Sequence, residues 1–302
     1  MGAVAKLLLA STNGAVAYRA GLRKKKIEVN GYWVHYYEGG HGDTLVLLHG
    51  LADDKSSFLR TAQGLTRDWH VILPDLTGHG ENEFIPERDY TVRGHVADLH
   101  AFVEAMRLDR FHLGGNSMGG HVSLAYSIHH PERVRSLILV NAPGLVVEDE
   151  HVVYTGFGSR MESLEDLLCV LDRVYHKRPK LPGFLLRHLM TQTNNALEKI
   201  NTMARVVREG PDYSLGDRIS EVAAPTLILW GKHDPVVKMN VAEAYRERIR
   251  DAKLVVFEDA AHSPQLEIPK RIGTGIKEFL SNLRENARRD AGSPAAGKED
   301  RL

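Results

Sequence analysis

Apolar, β-branched runs alternate along this chain with longer stretches in which apolar residues recur at helical spacing. Residues 32–37 alternate apolar and polar like an exposed strand, whereas 44–49 (Thr-Leu-Val-Leu-Leu-His) are apolar almost throughout. Similar runs recur at 71–74, 111–114, 136–141, 226–230 and 253–257. Continuous apolar strands are buried on both faces, as in a parallel sheet covered by helices on each side. The spacing between them predicts helices over 56–65, 91–106, 118–129, 240–249 and 264–283. Strand and helix in alternation give a mostly parallel, doubly wound α/β sheet.

One interval breaks the rhythm. From 144 to 217 there is no strand pattern, only Leu-, Met- and Phe-bearing helical spacing with breaks at Pro179, Pro182 and Gly183. An interval of roughly seventy residues is too long for a loop, so it reads as a helical cap inserted into a core made of 29–143 and 218–284. Residues 1–28 form a basic lead-in helix or segment. Residues 285–302, small and polar with Gly292 and Pro294, read as a disordered tail.

Composition narrows the picture. The 302 residues carry 39 Lys+Arg and 39 Asp+Glu, a net charge of zero, which argues against a nucleic-acid binder. With 43% hydrophobic and 26% charged residues, the chain has the mix of a soluble globular protein. The single cysteine, Cys169, excludes an intrachain disulfide and Cys-rich metal sites. No metal and no cofactor is expected. No run reaches the roughly 18–20 apolar residues of a membrane span, and the start lacks a secretory apolar region. Lys6, Arg19, Arg23, Lys24, Lys25 and Lys26 all precede the first acid, Glu28. That head suits either a weak helical foot on an anionic membrane or a solvated helix docked on the body. The expected location is the cytoplasm, free or peripheral to the membrane.

Chemistry concentrates at Gly115-Asn116-Ser117-Met118-Gly119, placed at the end of a predicted strand and the start of a helix. In that context G-x-S-x-G sets a serine on a sharp, strained turn, with glycines where side chains would collide with neighbouring backbone. A serine hydroxyl needs an adjacent base. His262 lies after the last strand, at the carboxyl edge of the sheet where sites of open α/β folds gather. Asp234 follows the strand 226–230 and would orient the imidazole, giving the chain order Ser117, Asp234, His262. Asp259 and Glu258 are rivals for the acid, and Asp75 reads as a structural hydrogen-bonding residue. Two donors for an oxyanion are expected from the backbone N–H groups of Met118 and Leu51. His49 is expected to hold the loop rather than titrate.

His49-Gly50, Pro74-Asp75 with Gly78-His79-Gly80, the 115–119 elbow, 231–234 and His262 together resemble the α/β-hydrolase superfamily, across about 31–283. Gly115-Asn-Ser-Met-Gly-Gly120, Asn141-Ala-Pro-Gly144 and His262-Ser-Pro-Gln-Leu-Glu267 are similar to bacterial lipases and monoacylglycerol-lipase-like esterases. The resemblance implies an α/β-hydrolase fold with a cap, and a Ser-His-Asp esterase working through an acyl-enzyme. The expected substrate is a monoacylglycerol or a short- to medium-chain ester. Phe157, Met161, Leu164, Leu168, Phe184 and Leu185, with Leu167 and Met190, offer apolar cap surface for the acyl group; the plainer reading packs them into the cap itself. Two rivals stand. Carbon–carbon hydrolases of ring-cleavage products resemble the same elbow but carry Trp after the histidine, where this chain has Ser263. The other rival is a hydrolase-fold receptor that binds ligand without turnover. Oligomeric state stays open.

Overall fold

The computed structural model describes residues 2–147, 154–156 and 158–292. In order, the chain forms α1 (Gly2–Arg19), β1 (Leu22–Val29), β2 (Tyr32–Gly39), β3 (Thr44–Leu48), α2 (Leu59–Ala62), β4 (His70–Pro74), α3 (Val92–Ala105), β5 (Phe111–Asn116), α4 (Met118–His129) and β6 (Val134–Val140). Then follow α5 (Leu164–Val174), α6 (Gly183–Glu209), β7 (Thr226–Gly231), α7 (Met239–Arg248), β8 (Ala252–Phe257), α8 (Pro264–Glu267) and α9 (Pro269–Gly292). Eight strands make one sheet in the order β1-β2-β4-β3-β5-β6-β7-β8. β2 runs antiparallel to both of its neighbours, β1 and β4; the pairings from β4 to β8 are parallel.

The apolar runs follow from burial on both faces. Val46, Leu48, Leu137, Leu139 and Trp230 pack into one cluster with Val96, Leu99, Val122 and Val241 of α3, α4 and α7. Their alternates Leu45, Leu47, Ile138, Val140 and Leu229 pack on the other face with Ala17, Leu59, Ile272, Ile276 and Leu280. With a period of two, neither face of these strands can be polar.

Four elements differ from the expected ones. β1 carries the Arg23–Lys26 charges on an edge strand, not on a helix, and its middle residues face solvent. Lys24 meets Glu81 at 2.6 Å, Lys25 meets Glu38 at 2.6 Å, and Lys26 lies over the Trp33 ring. The helix expected over 56–65 shrinks to four residues, because Asp54 Oδ1 accepts the Ser56 N–H and holds the preceding chain in turns. The helix expected over 264–283 breaks before Pro269, whose missing N–H cannot continue it. α9 then runs on to Gly292, so 285–292 is helix rather than loose tail, with Arg289 and Glu285 paired one turn apart. Residues 293–302 lie outside the described residues.

Between β6 and β7 the described chain holds no strand, only α5, α6 and a short 3₁₀ turn at Gly216–Glu221. α5 starts where Ser163 Oγ accepts the Asp166 N–H while Asp166 accepts the Ser163 N–H, a reciprocal cap.

Candidate active site

Everything converges on the carboxyl ends of β3, β5, β6, β7 and β8. Ser117 sits between β5 and α4 with φ 51° and ψ −123°, a conformation that L-residues rarely adopt. The turn is held by the Ser117 N–H donating to Val140 O at 3.0 Å. A Cβ on Gly119 would run into the carbonyls of Leu48 and His49, and one on Gly115 into Gly119 and Leu48. Both glycines are therefore required for β3, β5 and α4 to approach so closely.

The structure brings Ser117, His262 and Asp234 together, each 8% exposed. The Ser117 Oγ–His262 Nε2 distance is 2.9 Å and His262 Nδ1–Asp234 Oδ2 is 2.8 Å. Asp234 Oδ1 accepts the N–H groups of Val236 at 2.7 Å and Val237 at 3.0 Å. Its Oδ2 also accepts from Asn141 Nδ2 at 2.7 Å. Asn116 Nδ2 donates to the His262 carbonyl at 2.9 Å, and Gln265 Nε2 donates to Asn116 Oδ1 at 3.0 Å. Asn141 and Gln265 were missed as contributors; Asn141 at a strand end just before a turn was the available signal.

The rival acids point elsewhere. Asp259 pairs with Arg271 at 2.6 Å, which holds its carboxyl below the usual range, and Glu258 pairs with Lys232 at 2.6 Å in solvent. Asp75 accepts from the Lys55 N–H and Nζ and from the Glu81 N–H, pinning two loops. The Leu76 N–H donates to His49 Nε2 at 2.9 Å, so Nδ1–H donates to Gly50 O at 2.8 Å. These bonds fix the turn that carries Leu51. Met118 opens α4 immediately after Ser117, and a Cβ on Gly50 would stand 3.3 Å from that of Ser117. The two segments expected to supply oxyanion donors thus flank the serine.

A cavity of about 290 Å³ opens on Ser117 and His262. Leu51, Leu167, Val170, Leu171, Val174, Leu189, Val236 and Leu266 give it apolar walls, and Asp53, Thr155, Arg173, Tyr175 and Thr193 polar ones. Burial pushes the Asp53 carboxyl up. Burial, with Asp53 and Glu267 nearby, pushes the Tyr175 hydroxyl up to about 12.

Among the described cap residues expected to touch an acyl group, Leu167 alone lines this cavity. Met161, Leu164 and Leu168 pack with Leu186, Leu189 and Met190 in the cap's own small core. Phe184 and Leu185, in the first turn of α6, stand outside the lining. Phe157 lies outside the described residues. The reason is helical geometry: α5 presents 167, 170, 171 and 174 to the cavity, one face spaced i, i+3, i+4, i+7. Cys169 is exposed. Among the described residues no three His, Cys, Asp or Glu side chains gather as a metal site, and no helix is long and apolar enough to cross a membrane.

The sequence profile of the α/β-hydrolase fold matches residues 43–168 and 171–269. The monoacylglycerol lipase ABHD6 of Mus musculus is 28% identical over 265 residues, 81% of this chain and 77% of its own. Lipase 3 of Moraxella sp. (strain TA144) is 30% identical over 256 residues, 81% of this chain and 79% of its own. Among solved structures, a membrane phospholipase A described as a bacterial virulence factor superposes with a TM-score of 0.86 at 30% identity, covering 93% of each chain. A meta-cleavage product hydrolase from Pseudomonas fluorescens IP01 shares the fold, with a TM-score of 0.75 at 23% identity over 85% of this chain and 97% of that one.

Proposed function

The chain belongs to the α/β-hydrolase family, and from that premise we propose that it is a serine carboxylic-ester hydrolase acting on monoacylglycerols or short- to medium-chain esters. The observation that carries this reading is the continuous relay from Ser117 Oγ through His262 to Asp234, opening into an apolar-walled cavity. Ser117 Oγ attacks the ester carbonyl while His262 Nε2 takes its proton, and the N–H groups of Leu51 and Met118 receive the oxyanion. The imidazolium, held by Asp234, then protonates the leaving alcohol. Water, deprotonated by the same imidazole, hydrolyses the acyl-enzyme and releases the acid. The cap walls formed by Leu167, Val170, Leu171 and Val174 take the acyl chain.

The lipase-named relatives support a lipid ester over the carbon–carbon bond cleaved by the more distant neighbour. The test uses p-nitrophenyl esters of graded chain length, monoacylglycerols and a vinylogous diketone, each with wild type and Ser117→Ala. Ester turnover lost in Ser117→Ala is the expected result. No ester turnover at all overturns the reading, diketone cleavage alone replaces it with carbon–carbon hydrolysis, and tight binding without turnover replaces it with a receptor.

Partners follow the same reading: a small-molecule ester, no nucleic acid, and weak contact with an anionic membrane surface. The membrane contact rests on edge strand β1, where Arg23 and Lys26 carry the charge not already paired with Glu81 and Glu38, and on exposed Trp33 under Lys26. Vesicle sedimentation tests it: salt-sensitive pelleting with anionic vesicles is expected, and failure to pellet at every salt concentration overturns it.

A further inference from the structure

The end of α5 and the turn after it, residues 174–177, touch both loops that carry the relay. Val174 O accepts the Ser263 N–H at 3.1 Å, one residue after His262. The His176 N–H donates to Glu267 Oε2 at 2.8 Å, with the Lys177 N–H 3.5 Å from the same oxygen. The other oxygen, Oε1, accepts the Ala261 N–H at 2.7 Å, one residue before His262. The His176 ring stacks at 4.2 Å on that of His233, the neighbour of Asp234.

One carboxylate is thus shared between the cap and the peptide leading into the base. Hydrogen bonds to a charged acceptor are about twice as strong as neutral ones, so this sharing is a firm link. Around His262, the Ala261 N–H goes to Glu267, the Ser263 N–H to Val174 and the His262 carbonyl to Asn116. Two of these three anchors run to the cap or through a group that the cap also holds.

We infer that Glu267 is a positioning residue that makes seating of the cap a condition for alignment of His262 on Ser117. The inference rests on the esterase reading above. A cap lifted to admit substrate withdraws Val174 O and the His176 N–H together; the ring keeps Asp234 and the peptide keeps Asn116, but Glu267 loses the partner that fixes its carboxylate and the Ser263 N–H loses its acceptor. Reseating the cap over a bound acyl chain rebuilds the base, so entry and chemistry alternate. A misplacement of about 1 Å costs on the order of a hundredfold in rate. The cap therefore governs turnover of esters too small to need its walls.

The experiment measures kcat and KM for p-nitrophenyl acetate, and the rate at which a fluorophosphonate labels Ser117. The variants are wild type, Glu267→Ala, Glu267→Gln, His176→Ala, His176→Pro and the double variant Glu267→Ala/His176→Pro. Tyr175 before the new proline is already extended (φ −118°, ψ 135°), as proline requires of its neighbour. His176→Ala keeps the N–H and loses the ring, so His176→Pro is read against it. Expected is a fall in kcat and in labelling of about tenfold or more for Glu267→Ala and for His176→Pro relative to His176→Ala, with KM within about threefold. Glu267→Gln, keeping one acceptor oxygen, falls between, and the double variant is no worse than Glu267→Ala. Equal turnover in His176→Pro and His176→Ala overturns the inference, as do losses that multiply in the double variant. If Glu267→Ala fails to fold, Glu267→Gln and His176→Pro still decide it. Absence of ester turnover and of labelling in wild type would instead remove the esterase reading itself.

Discussion

Asn141 Nδ2 lies 2.7 Å from Asp234 Oδ2, the same oxygen that faces His262 Nδ1 at 2.8 Å. The amide comes from the end of β6 in a left-handed conformation, φ 45°, and its Oδ1 accepts the Gly231 N–H at 3.0 Å. One side chain therefore ties the acid to the strand that delivers it. Asn141→Ala should lower kcat about tenfold or more with little change in KM, since a hydrogen bond to a charged group contributes about 1.5–3 kcal/mol. Asp234→Asn should cost on the order of 10⁴-fold by presenting the wrong partner to the imidazole. Steady-state kinetics on one soluble ester checks both; normal turnover in Asn141→Ala would remove its positioning role.

The backbone at Ser117 stores strain that glycine relieves and alanine does not. Strain in such a region costs about 1–3 kcal/mol. Ser117→Gly should therefore melt several degrees above Ser117→Ala, both being inactive. Thermal denaturation of the pair reads this directly, and equal melting temperatures would mean an unstrained elbow.

Buried histidines set an acid limit to stability. Burial holds His95, His112 and His121 down to about 4, and His79 well below its ordinary value. Their folded values lie below the unfolded value of about 6.5, so the unfolded state binds more protons between the two. Stability should be full above about pH 6.5 and fall as pH drops towards 4, by up to about 1.4 kcal/mol per pH unit for each histidine. Glu81, held down to about 2 by Lys24 and Lys55 against its own burial, adds its loss at lower pH. Urea midpoints at pH 7.5, 6 and 5 test the slope, and His112→Gln should flatten it.

Chain-length preference should follow the cavity wall and not the rest of the cap. Val170→Phe narrows the cavity, and kcat/KM for long acyl esters should drop about tenfold relative to butyrate. Phe184→Ala, outside the lining, should leave that ratio in place. A shift in the second variant instead of the first would place the acyl chain elsewhere.

The sequence by itself determined the parallel sheet and the order of its chemistry. Strands such as β3 and β7, buried on both faces, are apolar almost throughout after their opening threonines, so they stand out in any window. Ser117 stands out because its close approach to β3 tolerates only glycine on either side. Edge strand β1 left no such trace, since its exposed middle obeys no period and its charges read as a lead-in helix or segment. The wall of the cavity was also illegible. Leu164 and Leu168 are as apolar as Leu167 and Leu171, and only the docking of α5 decides which ones face Ser117. Asn141 and Glu267 reach partners 93 and 91 residues away, and such contacts exist only once the tertiary fold has brought distant loops together.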